Sequence, residues 1–179
     1  MIIERSLITR PSDDGHYMVS SIDQLYYKTT DESESSIFSE NPSYNFDLSS
    51  DNMYIAYTPG EAGDGVMLQR FPEGGALSTV TTMDAWGLTW SHDDSKLYFW
   101  AEGSFWETPV DMSGLQPSVG LPIQLFSADD SGVAPTRIYG IGDDGRFLML
   151  LEPEDLPVQI ESMTTRVIQG WMNGSKLSR

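Results

Sequence analysis

The side chains that could do chemistry in this chain are few, and their spacing argues against most reactions. Only two histidines occur, His16 and His92, each in a stretch of Asp, Ser or Gly that reads as a hairpin turn. A Ser-His-Asp relay needs an imidazole held against a nucleophile and oriented by a carboxylate. The Gly-x-Ser-x-Gly elbow that presents a strained serine is absent from the sequence. Carboxylates are plentiful as adjacent pairs: Asp13-Asp14, Asp93-Asp94, Asp129-Asp130 and Asp143-Asp144. Neighbours on a strand or turn point in different directions, so such pairs do not make the two facing acids of a glycosidase. Solvated acids that cap their own turns account for them.

Metal and nucleotide chemistry find no better footing. With no cysteine there is neither a thiolate site nor a disulfide. A zinc site using both histidines with Asp14 or Asp93 would need imidazoles from separate repeats to meet. No segment has EF-hand spacing, and no glycine-rich loop opens a helix to cradle phosphate. The sequence therefore implies no cofactor, no metal and no catalytic residue, and leans away from an enzyme. Ten Lys and Arg against 27 Asp and Glu leave a formal net charge of −17. Such a surface repels a nucleic-acid backbone and anionic lipid headgroups. It serves solubility or steers a basic partner, and composition does not choose between the two. No apolar run approaches the ~18 residues of a membrane span. The start, Met1-Ile2-Ile3-Glu4-Arg5, lacks the basic head and apolar core of a signal peptide.

The elements that must position any site follow from an internal repeat. One unit recurs: an apolar stretch, a polar turn containing Asp, then an alternating or apolar stretch. Its turns are Ser12-Asp13-Asp14-Gly15, Ser49-Ser50-Asp51-Asn52, Ser91-His92-Asp93-Asp94 and Gly142-Asp143-Asp144-Gly145. Equivalent acids are Asp14, Asp51, Asp93 and Asp144, spaced by 37, 42 and 51 residues. These turn residues tolerate positive φ or bond their own backbone, and the flanking aromatic and β-branched residues suit pleated surfaces. A second pair of extended segments follows each hairpin, as in Val66–Phe71 with Ala76–Val80, and Ser104–Val110 with Pro122–Phe126. Four antiparallel strands per unit, repeated radially, is the plan of a β-propeller. The sequence predicts an all-β single domain over residues 1–179, with about four blades near 1–40, 41–83, 84–131 and 132–179. Helical periodicity is absent, apart from a short turn near Met172–Leu177.

The hairpin Trp90-Ser91-His92-Asp93-Asp94-Ser95-Lys96-Leu97-Tyr98-Phe99 resembles the Trp-Ser-Pro-Asp-Gly-Lys hairpin of WD40-like, TolB-type propeller repeats, with His92 for Pro and Asp94 for Gly. The ending, Asp143–Met149 and then Val167-Ile168-Gln169-Gly170-Trp171, is similar to the closing blade of bacterial TolB-like propellers, with Gly170 where Asn is usual. The resemblance implies blades rather than a reaction. It further implies a periplasmic or extracytoplasmic setting, and Trp171 at the family's usual terminus leads to the expectation that nothing follows. Complete members have six blades. This chain is therefore expected to be a fragment of a longer propeller, a small closed ring, or a partial ring completed by self-association. Met1-Ile2-Ile3 is expected to supply a missing outer strand.

Function in such a scaffold gathers on loops. The connections into the inner strands carry Tyr44, Asp84-Ala85-Trp86 and Arg137, with Glu61, Asp64, Glu102, Glu152 and Glu154 on neighbouring loops. Tyr, Trp and Arg are the types enriched at binding hot spots. The leading expectation is a non-enzymatic module that binds a protein or peptide, a basic one suiting its acidic loops, through Tyr44, Trp86, Arg137, Glu61, Asp64 and Glu102. The alternative is the gating propeller of a peptidase or a carbohydrate-active propeller hydrolase. The other aromatics, Tyr26, Tyr27, Tyr54, Tyr57, Trp90, Tyr98, Phe99, Trp106 and Phe147, are expected to pack in the core and between blades.

Overall fold

The computed structural model describes residues 8–12, 15–21, 24–40, 43, 45–60, 65–114, 116–131, 140–142, 145–150 and 165–168. Strands β1 (Ile8–Pro11), β2 (Tyr17–Ser21), β3 (Leu25–Thr29) and β4 (Ser36–Ser39) form one antiparallel sheet in sequence order. A second holds β5 (Phe46–Leu48), β6 (Tyr54–Tyr57), β7 (Val66–Arg70) and β8 (Ser78–Thr81). In the third, β9 (Ala85–Trp90), β10 (Lys96–Ala101) and β11 (Ser104–Asp111) are followed by β12 (Ser118–Val119) and β13 (Ile123–Ser127), both paired to β11. The last described sheet contains β14 (Gly140–Ile141), β15 (Phe147–Leu150) and β16 (Thr165–Ile168). One turn of helix, α1 (Ala128–Ser131), follows β13, where the sequence gives no helical signal. The expected helical turn near Met172 and the strand from Met1-Ile2-Ile3 lie outside the described residues.

The core lies between sheets rather than within any of them. Residues of β6 are buried throughout because its two faces enter different clusters. Ile55 and Tyr57 join Val19, Leu25, Phe46 and Phe71 between the first and second sheets. Tyr54 and Ala56 join Leu88, Trp90, Leu97 and Phe99 between the second and third. β10 repeats the arrangement: Tyr98 and Trp100 turn instead to Phe105, Phe126, Phe147 and Met149, toward the fourth sheet. A strand with both faces covered reads as a continuous apolar run rather than an alternating one, as Leu97-Tyr98-Phe99-Trp100-Ala101 does. Of the expected packing aromatics, Tyr54, Tyr57, Trp90, Tyr98, Phe99 and Phe147 are buried, while Tyr26, Tyr27 and Trp106 are only partly so.

The repeated hairpin turn has one construction in its first three copies; in the fourth, Gly142 takes the serine's place and donates its N–H to the Arg146 carbonyl at 2.8 Å. Ser12, Ser49 and Ser91 each donate a backbone N–H across the turn, to Tyr17, Tyr54 and Lys96 carbonyls, at 2.9 Å in all three. Each serine's Oγ then accepts the N–H of that same residue, at 2.9 to 3.0 Å. The fourth residue of the turn carries positive φ in all four copies: Gly15 at 72°, Asn52 at 58°, Asp94 at 54° and Gly145 at 74°. Asp93 accepts from the Ser91 and Ser95 hydroxyls and the Ser95 N–H, and these bonds hold its carboxyl down at about 2. Asp94 does something different. It is buried, and it reaches into the neighbouring sheet to accept the Ser50 N–H at 2.9 Å as well as the Ser50 hydroxyl. The acid at the fourth position of this hairpin, where two of the other copies carry glycine, is thus an inter-blade tie.

Candidate functional site

The inner strand of the third sheet contains an irregularity that decides where Trp86 points. Opposite β10, Tyr98 pairs with Thr89 but Trp100 pairs with Trp86, so Gly87 and Leu88 together face Phe99. This is a β-bulge with its extra residue in β9. Gly87 holds φ at +66°, the left-handed conformation that a bulge of this kind asks of its first residue and that glycine adopts without penalty. The bulge reverses side-chain alternation. Leu88 and Trp90 enter the cluster shared with the second sheet, and without the extra residue Trp86 would follow them. Instead it lies on the Trp100 side, stacked on that ring at 6.2 Å between centroids and 22° between planes, and remains 38% exposed.

A side chain from the second sheet completes the device. A bulge leaves backbone groups without ladder partners, and buried ones are costly. Asn45 accepts the Gly87 N–H at 2.9 Å and the Leu88 N–H at 3.3 Å through Oδ1, and donates Nδ2 to the Ala85 carbonyl at 3.1 Å. Its own carbonyl accepts from the Ser43 hydroxyl and the Thr58 N–H, both at 3.0 Å. One buried asparagine therefore fixes the bulge from the adjacent blade. Beneath Trp86, Trp100 is only 1% exposed and contacts Phe105 and Phe126 at 5.1 and 5.7 Å. Its indole Nε1 is buried without a hydrogen-bond partner.

The turn joining β10 to β11 lies at the same end, since Ala101 pairs with both Ala85 and Ser104. Glu102 and Gly103 have φ of 50° and 69°, the pair of positive values that a tight two-residue hairpin requires. Trp106 donates Nε1 to the Ala101 carbonyl at 3.0 Å, and the Ala128 N–H reaches the Gly103 carbonyl at 2.9 Å. Asp84 and Glu102 are exposed beside this braced turn. The described cationic side chains lie elsewhere. Lys28, Arg70 and Lys96 occupy the hairpin-turn ends of their strands, opposite Met18, Tyr54 and Pro109, and Arg146 precedes β15. Lys96 is there ion-paired with Glu107 at 3.0 Å.

Of the expected binding residues, Trp86 and Glu102 come to one end of one sheet. Tyr44, Arg137, Glu61 and Asp64, with Glu152 and Glu154, lie outside the described residues. Trp86 is also a correction: it belongs to strand β9 rather than to a connecting loop, and the bulge is what exposes it. Trp100 was missing from the expected aromatics of this end, although its alternation with Phe99 places the two on opposite faces. The histidines are both exposed in their turns. Among the described residues no group of three or more His, Asp or Glu stands close enough to hold a metal ion.

No protein-family model matches the chain, and no curated protein does at a significant level. Solved structures do. One, provisionally named a 6-phosphogluconolactonase, from Bacteroides fragilis, is 17% identical over 84% of this chain and 50% of its own, with a TM-score of 0.55. A luciferin-regenerating enzyme gives 17% identity, coverage of 82% and 55%, and a TM-score of 0.56. The periplasmic gluconolactonase of Pseudomonas aeruginosa gives 14%, coverage of 90% and 52%, and 0.53. The chain spans about half the length of these structures. The likeness shows the fold: an all-β, propeller-like array of antiparallel blades. It also corrects the expectation of a non-enzymatic binding module, because these proteins of the same fold are named as enzymes.

Proposed function

We propose that this chain is part of a carbohydrate-active propeller hydrolase that opens small sugar-derived lactones at the blade end displaying Trp86. The observation that carries the reading is the Gly87 bulge, which turns a large aromatic out of the core beside exposed carboxylates. Bulges recur next to active sites because they re-aim single side chains. Two proteins of like fold are named as lactonases, and that supports the choice of substrate class. In such a reaction water adds to the lactone carbonyl and the ring C–O bond breaks, giving a hydroxy acid. Asp84 and Glu102, with Asp129 and Asp130 of α1 across the braced turn, are described carboxylates at this end able to take the proton of the attacking water. The serine-anchored hairpins favour reading the blades as WD40-like, TolB-type repeats.

A pH-stat assay with glucono-1,5-lactone tests the activity against the spontaneous rate. Acceleration proportional to protein concentration is expected. A rate equal to that of buffer, for five- and six-membered sugar lactones alike, would remove the hydrolase reading.

A further inference from the structure

We infer that Trp86 is a stacking platform for an uncharged sugar ring, and that the exposed carboxylates beside it, at an end where no cationic side chain lies among the described residues, turn phosphorylated sugars away. The inference rests on the carbohydrate reading above and deepens it by naming the ring and its charge. An indole face presents a flat, electron-rich surface, and the axial C–H groups of a pyranose are complementary to it. Most exposed aromatics are loosely held, but this one has a built support. Gly87 supplies the left-handed bulge, Asn45 ties both bulged N–H groups from the next blade, and the Trp100 ring lies parallel underneath. That support fixes the plane of the platform before any ligand arrives, which lowers the ordering cost of binding. Beneath the platform, the Trp100 Nε1 is buried without a hydrogen-bond partner.

Charge sets the second half. Asp84 and Glu102 are exposed at the platform's end, while the described cationic side chains lie at the hairpin-turn end. The whole chain carries −17. Carboxylates accept hydrogen bonds from ring hydroxyls, but a phosphate dianion offers them no donor and adds repulsion. Arg or Lys is what phosphate recognition uses.

Saturation-transfer NMR and calorimetry with glucose, methyl β-glucopyranoside and glucose 6-phosphate test both halves without turnover. The neutral rings are expected to bind at least tenfold more tightly than the phosphate at low salt, with the gap narrowing as salt rises. Trp86→Ala should abolish ring binding and Trp86→Phe should retain part of it, with both variants showing cooperative thermal unfolding. Binding of neutral sugars unchanged in Trp86→Ala would overturn the platform, as would absence of any ring binding to the parent protein at millimolar sugar. Tighter binding of glucose 6-phosphate would overturn the charge selection. The outcomes separate from the hydrolase reading. Ring binding lost with Trp86, in a protein that never accelerates lactone opening, keeps the platform and removes the activity; lactone hydrolysis with Trp86-independent sugar binding does the reverse.

Discussion

Asp93 and Asp94 show how two adjacent acids take unlike tasks. Asp93, exposed and local, has its carboxyl lowered from 3.8 to about 2 by bonds from Ser91, then Ser95. A carboxyl depressed in the folded state stabilises it fully above the unfolded pKa of about 4, and that contribution disappears as pH falls toward 2. The melting temperature of the parent should therefore exceed that of Asp93→Asn at pH 5, with the gap closing by pH 2; a gap independent of pH would refute the assignment. Asp94 ties two blades from a left-handed backbone. Asp94→Ala loses charge-assisted bonds and keeps the strain, so it should cost about 3 kcal/mol. Asp94→Gly loses the same bonds but relieves the backbone, so urea unfolding should rank it between the parent and the alanine variant. Tyr98 is pushed up to about 12, chiefly by burial and then by Glu107 and Asp93. Its phenol should stay un-ionised in the folded protein at pH 10.5, as an ultraviolet titration would read.

At the scale of the strand, the β9 bulge is the feature with the largest predicted consequence. Asn45→Ala strips partners from the buried Gly87 and Leu88 N–H groups and the Ala85 carbonyl. At roughly 1–3 kcal/mol for each buried group left unpaired, with some relaxation, a loss of about 3 kcal/mol is expected. Gly87→Ala meets a φ of +66° and should cost about 1 kcal/mol. Both variants should also change the fluorescence of the Trp86–Trp100 stack; loss of stability without any change there would mean the bulge is not what sets Trp86. A related irregularity recurs at the start of the third strand in three sheets, between Leu25 and Tyr26, Val66 and Met67, and Phe105 and Trp106. Leu25, Val66 and Phe105 are all fully buried. The repeat is thus kept in the backbone where residue types have drifted apart.

For the molecule as a whole, charge and stacking oppose each other. Apolar clusters join each sheet to the next, while a net −17 charge repels itself across the surface. Raising sodium chloride from 10 to about 300 mM shortens the Debye length several-fold. The melting temperature at pH 7 should rise by several degrees, and a fall would mean that surface ion pairs outweigh self-repulsion. Because each cluster is shared between neighbours, Trp100→Ala should loosen the third and fourth sheets together, at about 3–5 kcal/mol.

Much of this was written in the chain itself. Alternating and apolar runs around Asp-containing turns specify antiparallel blades, because the turn chemistry and the side-chain period are local properties. The acidic surface likewise follows from composition alone. Asp93 could be read as a turn acid for the same reason: its partners are two residues away on either side. Trp86 could be noticed as a large aromatic before an inner strand, but not placed. Whether it faces the core or solvent depends on one extra residue opposite Phe99, a matter of register between two strands. Register is settled by pairing over the whole sheet, and here also by Asn45, 42 residues from Gly87 in sequence. Asp94 is the same case: nothing within its own hairpin says that Ser50, 44 residues away, will be its partner. Contacts between blades close only once the sheets stack, so the tertiary structure alone determined which aromatic stands exposed and which acid holds two blades together.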